Sequence, residues 1–263
     1  MSVLGWIVLF TLLGGALSAL AASLFLVAPE SVRSRVLPHL VSFATGALLG
    51  AALLGLLPHA IEQVGISGTH GIGLSLLAGL LVFFVLEKMV LWRHCHQDVC
   101  EGHVPHVHAT DAHRDAASAS LILIGDGFHN VLDGVLIAAA FMTDVHLGVV
   151  TALAVIAHEI PQEVGDLAIL LQGGMSRLRA LTLNLLTSLT SVVGGIAAYF
   201  ALGPVEHALP YALSLAAASF LYIAVADLIP GLHRRVDAGS GVRQFVFIVL
   251  GVAVIYVSHS LAH

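Results

Sequence analysis

Charge is what this sequence has least of. Asp, Glu, Lys and Arg make up only 10% of its 263 residues, hydrophobic residues make up 58%, and mean hydropathy is +0.99. Soluble domains carry roughly a quarter charged residues, so a water-facing globule is excluded and a polytopic membrane protein remains. No polar stretch is long enough to fold around a core of its own. A basic segment ahead of the first apolar stretch, "LGWIVLFTLLGGALSALAASLFLV", is missing, and that stretch exceeds the apolar core of a signal peptide. It is therefore expected to be a retained helix, not a cleaved leader. Cysteine is nearly absent: the two present, Cys95 and Cys100, sit in one polar tract, so no thiolate site for a soft metal lies within the apolar segments. Ten Lys and Arg against sixteen Asp and Glu leave no basic surface for a nucleic acid.

What is present is a series of apolar stretches of about 20 residues, the length that crosses a bilayer core as a helix. Eight are expected, roughly at 3–28, 38–60, 70–92, 117–142, 147–172, 179–202, 208–230 and 242–262. All ten basic residues lie at alternate connections: Arg33 and Arg35; Lys88, Arg93 and Arg114; Arg177 and Arg179; Arg234, Arg235 and Arg243. The connections between these, "EQVGISGTH", "TDVHLG" and "GPVEHAL", carry none. The positive-inside rule then places the odd connections in the cytoplasm and both termini outside, or in the periplasm. An even number of crossings is required for that, and eight satisfies it. The expected fold class is an all-α polytopic membrane protein with eight transmembrane helices, forming a single transmembrane domain over residues 1–263.

An ionisable group in the bilayer centre costs about 2.5–3.5 kcal/mol on insertion scales, so each one needs a partner or a watery path. The fourth and fifth segments hold most of them. In "GDGFHNVLDG", Asp126, His129, Asn130 and Asp133 recur at i, i+3, i+4 and i+7, one stripe of a helix. In "AHEIPQEVGD", Glu159, Gln162, Glu163 and Asp166 form a second stripe, bordered by His158. The short connection "TDVHLG" makes the two helices antiparallel neighbours, so the stripes can converge near mid-membrane. Imidazole, carboxylate and amide oxygen together suit borderline divalent metals such as zinc, iron or manganese. A cation also relieves the mutual repulsion of several carboxylates held this close. Pro161 frees the carbonyl of Ala157 and is expected to widen the turn that carries Glu159 and Gln162.

The other polar residues leave alternatives open. Asp126 can orient His129 or serve a helix contact. Asp227 can line an exit path or simply approach the interface, and for His59 and Glu62 at the outer end of the second segment a surface position is expected. The third connection, at about 93–116, reads "RHCHQDVCEGHVPHVHATDAHR". Its six histidines and two cysteines match no zinc-finger register, so it is read as a flexible cytoplasmic metal-binding tract.

At "HNVLDG" and "HEIPQEVGD" the sequence resembles the ZIP family of divalent-metal transporters, whose fourth helix carries His-Asn-x-x-Asp/Glu-Gly and whose fifth carries His-Glu/Asn-x-Pro. "SFLYIAVADLIP" looks like the family's seventh helix, and the wording of the fifth is nearest the histidine-rich branch. The resemblance implies an inverted-repeat bundle, with metal crossing as one bundle moves against another. It also implies a two-metal site: His129, Glu159 and Gln162 around one ion, Asn130, Asp133 and Glu159 around its neighbour, with His158 adjoining; direct ligation by His158 or Glu163 is left open. Gln162 departs from the family, where His or Glu often stands, which puts the second ion in doubt. The function implied is uptake of zinc into the cytoplasm across the cell (inner) membrane, with iron, manganese or cadmium as other cargo. No prosthetic group is expected, the partners are the metal ions and the bilayer, and a homodimer is left open.

Two other readings use the same residues. "HEIPQ" is similar to the H-E-x-x-H of intramembrane zinc proteases, which are enzymes, but its fifth residue is Gln162 and a proline sits inside the motif. A proton-coupled carrier of another solute, or a metal-gated channel, could use the same carboxylates.

Overall fold

The computed structural model describes residues 1–94, 112–172, 174–233 and 238–260, and these form helices with no strand among them. The packing is that of a protein in lipid. Inward faces are built from small residues: Gly14, Gly15, Ser18, Ala19 and Ala22 on the first helix, α1 (Val3–Val27), and Ala44, Gly46 and Ala47 on the next. Large apolar side chains such as Leu17, Leu20, Leu24, Phe200 and Phe245 face outward. With no hydrophobic force between helices in hydrocarbon, small residues are what allow close approach and dispersion contact.

Six stretches among the described residues are long and apolar enough to cross a membrane. Two of them, Glu30–Leu86 and Arg177–His233, have 57 residues each. A continuous helix of that length would measure about 85 Å, nearly three bilayer cores, and neither is continuous. The first comprises α2 (Glu30–Gly50), a π-turn (Ala51–Leu56) and α3 (Leu57–His94) as far as Leu86, and is interrupted at Gly65, where φ is 66° and ψ −176°. Only glycine adopts that backbone readily, so Gly65 is where the run can turn. The second comprises α6 (Arg177–Ser188), α7 (Thr190–Leu202), a 3₁₀ segment (Gly203–Ala208) broken at Val205, α8 (Leu209–Tyr222), a π-turn (Ile223–Leu228) and α9 (Ile229–His233). Between these runs lie α4 (Ala112–Thr143) and α5 (Val145–Gln172), and α10 (Ala238–Ser260) follows.

Several boundaries differ from those read off the hydropathy. α2 begins at Glu30, eight residues before the apolar stretch, and α4 begins at Ala112, inside the tract expected to be a connection. A helix continues past the hydrocarbon wherever its backbone bonds can, so apolarity marks the membrane and not the helix end. Most of the histidine-rich tract, residues 95–111, lies outside the described residues. The wide turns also fall elsewhere than expected. α5 stays helical through Pro161, while the π-turns precede Pro58 and Pro230. A proline at those points leaves backbone carbonyls unbonded, which a wider turn absorbs.

α4 and α5 form the hairpin that positions the polar stripes. Asp144, the single residue between them, accepts from the backbone N–H groups of His146 and Leu147 at 2.8 and 3.0 Å, capping the start of α5. α4 crosses α7 backbone against backbone: a Cβ on Gly134 would collide with the Ser191 carbonyl, and one on Gly194 with that of Val131. Thr190 Oγ1 donates to the Gly127 carbonyl at 2.7 Å across the same contact. Gly134 directly follows Asp133, so this crossing fixes the height of the site.

Candidate metal centre

Four side chains from the hairpin meet: His129 and Asp133 from α4, His158 and Glu159 from α5, with one ligand atom of each within 4.8 Å of all the others. Five pairwise distances are closer still. His158 Nε2 lies 3.2 Å from Asp133 Oδ2 and 3.6 Å from Glu159 Oε1. His129 Nε2 lies 3.5 Å from Glu159 Oε1, 3.8 Å from Asp133 Oδ2 and 3.4 Å from His158 Nε2. Four ligands about 2.0–2.2 Å from a zinc ion stand roughly 3.3–3.6 Å apart in a tetrahedron. The side chains hold that spacing among themselves.

Their hydrogen bonding points the same way. His158 Nδ1 donates to the Ala154 carbonyl at 3.1 Å, which in the neutral ring leaves Nε2 with its lone pair directed at the cluster. All four carboxylate oxygens of Asp133 and Glu159 are buried without a hydrogen-bond donor among the described residues. Two buried carboxylates beside the His158 lone pair therefore gather electron pairs at one point, an arrangement that costs several kcal/mol per group unless a cation sits among them. A divalent ion would bring the set to zero net charge. Phe220 of α8 meets the His158 ring at 6.1 Å and walls off one side. Asp133, His158 and Glu159 have side chains at most 2% exposed, while His129 is 22% exposed, so the approach to the cluster passes His129.

The other candidate residues are placed differently. The Asn130 amide donates to Asp126 Oδ1 at 2.9 Å and to the Asp126 carbonyl at 3.2 Å, tying one turn of α4 together. Asp126 thus accepts from Asn130 within its own helix. Gln162 is half-buried, one turn beyond His158. Glu163 is fully buried but turned toward α6, where Asn184 Nδ2 and Ser188 Oγ donate to its two oxygens. Asp166 is half-buried and Asp227 exposed. Asn184 and Ser188 were not singled out in the sequence. The signal available was "NLLTS", a polar pair at i and i+4 within an apolar helix, facing the same side as buried Ala180.

Comparison with known proteins adds an independent line. Residues 2–259 match the family described as ZIP Zinc transporter. The chain is 30% identical to zinc transporter zipt-7.1 of Caenorhabditis briggsae, over 89% of this chain and 74% of that protein. It is 32% identical to zinc transporter ZIP13 of Pongo abelii, over 83% of this chain and 65% of that one. It is 33% identical to zinc transporter ZIP5 of Homo sapiens, over 80% of this chain and 49% of the relative. The chain thus spans about half to three quarters of the length of these curated relatives.

Proposed function

Because the chain belongs to the ZIP zinc transporter family, we propose that it carries divalent transition metal, zinc first, through the bilayer into the cytoplasm by way of the cluster of His129, Asp133, His158 and Glu159. The observation that carries this reading is the convergence of two imidazole nitrogens and two carboxylates at near-tetrahedral spacing, with Asp133, His158 and Glu159 buried and the carboxylate oxygens without donors among the described residues. The ion enters past His129 and leaves when the bundles shift and pull α4 ligands away from α5 ligands, since a site closed from both helices opens by their relative movement. Asn130 and Gln162 would serve a second, weaker ion position, and Glu163 would support α5 from α6. Iron, manganese and cadmium share the ligand preferences and are the competing cargo.

The topology we read is eight crossings in one transmembrane unit of residues 1–263, with each 57-residue run divided at its break into two. The charge distribution supports an orientation with both termini outside. The reading also takes the cell (inner) membrane as its location and leaves a homodimer open. The family is one of transporters and not of enzymes, and the protease reading also fails on chemistry. Glu159 stands in the ligand set where a protease needs it facing a water, and Gln162 replaces the second histidine.

Radiometal uptake by purified protein in liposomes tests the proposal. Saturable zinc flux, competed by cadmium, iron or manganese, is expected. Flux that does not saturate indicates a channel, and no metal flux from an inserted, folded protein removes the transport reading.

A further inference from the structure

Two adjoining cavities lie where α2 and α10 begin. The first, of about 200 Å³, is lined by Arg35, Pro38, His39, Ser240, Arg243 and Gln244. The second, of about 490 Å³, shares Arg35 and His39 and continues along α2 and α10 over Val36, Leu40, Phe43 and Phe247. One is polar and positively charged. The other has a wholly apolar wall, to which the arginine and histidine contribute their carbon faces.

The geometry of the shared wall is fixed. His39 Nδ1 donates to the Arg35 carbonyl at 2.7 Å, and its ring meets Phe247 edge-on at 4.7 Å, joining the two cavities. Gln244 Nε2 donates to the Leu232 carbonyl at 3.1 Å, which pins the first turns of α10 against α9. Both α2 and α10 start at this end, and Arg35 and Arg243 stand in their second turns. On the same turns α10 turns Val242, Phe245 and Val246 outward, each at least 55% exposed, which is the face of a helix in contact with hydrocarbon. The polar cavity therefore opens beside lipid and not into the translocation path.

A ligand with an anionic head toward Arg35 and Arg243 and an alkyl chain in the groove beside them matches both cavities. We propose that this is a binding site for an anionic glycerophospholipid, its phosphate between Arg35 and Arg243 and one acyl chain along Leu40, Phe43 and Phe247. Guanidinium groups bind phosphate through paired N–H donors. Basic pockets between helices at the cytoplasmic surface are where anionic headgroups concentrate. The assignment to the cytoplasmic leaflet rests on the orientation proposed above; the site itself does not.

The test uses the purified full chain in detergent, titrated with phosphatidylglycerol or phosphatidylcholine, with retained lipid counted by native mass spectrometry. Wild type is expected to retain one phosphatidylglycerol against washing, and Arg35→Gln/Arg243→Gln to weaken that binding at least tenfold while phosphatidylcholine is unaffected. Arg35→Gln alone gives the same reading should the double variant not fold. Arg179→Gln removes a charge at the same membrane face outside both cavities, and should match wild type. Equal loss in Arg179→Gln would mean bulk charge and overturn the site. Leu40→Ser should release the lipid with both arginines intact. Unchanged retention in that variant, or displacement by millimolar inorganic phosphate, would show an anion site without a chain and overturn the lipid assignment. Retention in detergent does not depend on which face is inside, so a reversed orientation changes the leaflet and leaves this outcome as it stands.

Discussion

Two crossings in this protein are built alike and filled differently. Where α4 meets α7, Gly134 and Gly194 each face the other helix's carbonyls so closely that neither could carry a Cβ. Where α2 meets α10, Gly46 faces the Ile248 carbonyl and Gly251 that of Phe43 in the same reciprocal way. Beside the first crossing lie Asn130 and Asp133, buried and ionisable or amide-bearing. Beside the second lie Ser42 and Thr45, whose hydroxyls donate back to the Pro38 and Val41 carbonyls at 2.7 and 2.8 Å and ask for nothing more. Backbone contact between glycine faces is thus the architecture of both halves. Metal-ligating chemistry stands beside only one of the two crossings, and Ser42 and Thr45 at the other are already satisfied by their own helix.

The largest expected difference follows from that contrast. Glu159→Ala and His129→Ala should each reduce zinc uptake to the background of protein-free liposomes while insertion and expression stay at wild-type level. Ser42→Ala and Thr45→Ala, at the other crossing, should leave the rate within about twofold, because a hydroxyl returned to its own helix contributes only about 0.5–1.5 kcal/mol. Initial rates normalised to protein in the membrane decide it. A wild-type rate in either of the first two variants would place the ion elsewhere.

The two crossings should respond equally, by contrast, when the packing itself is attacked. Gly134→Val and Gly46→Val both drive a branched side chain into a carbonyl that cannot yield, and overpacking of that kind costs about 1–3 kcal/mol or more. Thermal unfolding in detergent should show comparable losses for both. A large loss at Gly46 with none at Gly134 would mean that α4 and α7 are not held together as the geometry indicates.

Much of this was legible in the sequence, for a physical reason. Hydropathy reports solvent, so apolar runs mark the bilayer, and a 3.6-residue period reports faces, so "HNVLD" and "HE" could be aimed at one another before any coordinates existed. Periodicity is silent about what stands opposite each turn. Glu163 shares a stripe with Glu159, yet one turn further along α5 the neighbour is α6, and Asn184 and Ser188 take its oxygens. Asn130 lies among the ligands in sequence but bonds within α4, because Asp126 is one turn away on the same helix and needs no helix movement to reach. The wider turns were expected at Pro161 and occur before Pro58 and Pro230. A proline states that a carbonyl is freed, and only the surrounding packing determines how the backbone takes up the change.

Glu163 accordingly offers a finer cut within the functional half. Glu163→Gln preserves the side-chain shape and an acceptor oxygen toward α6, and Ser188 can accept from the new amide. Uptake should stay above half of wild type, with a stability loss of about 1 kcal/mol for the rearranged hydrogen bond. Glu159→Gln, the same change one turn away, should lose most of its flux. Equal loss in the two would bring Glu163 into the ion's path.

The smallest and most specific effect is expected at Gln162, which lies one turn beyond His158 and is half-buried. An amide oxygen is a neutral, weaker donor than an imidazole nitrogen for a borderline metal. Gln162→His should therefore add a preferred ligand beside a set that already has four. Tighter binding is not faster transport. A carrier must release what it captures, and about 1.4 kcal/mol of added affinity holds the ion tenfold more strongly, which slows release unless the inward-facing state weakens by the same amount. The expected result is a lower apparent Km for zinc with a maximal rate that is unchanged or reduced. Zinc titrations of initial uptake, repeated with cadmium, check it: if Km and the preference between the two metals both stay where they were, the side chain at 162 does not reach the ion, and the four-residue cluster alone accounts for binding.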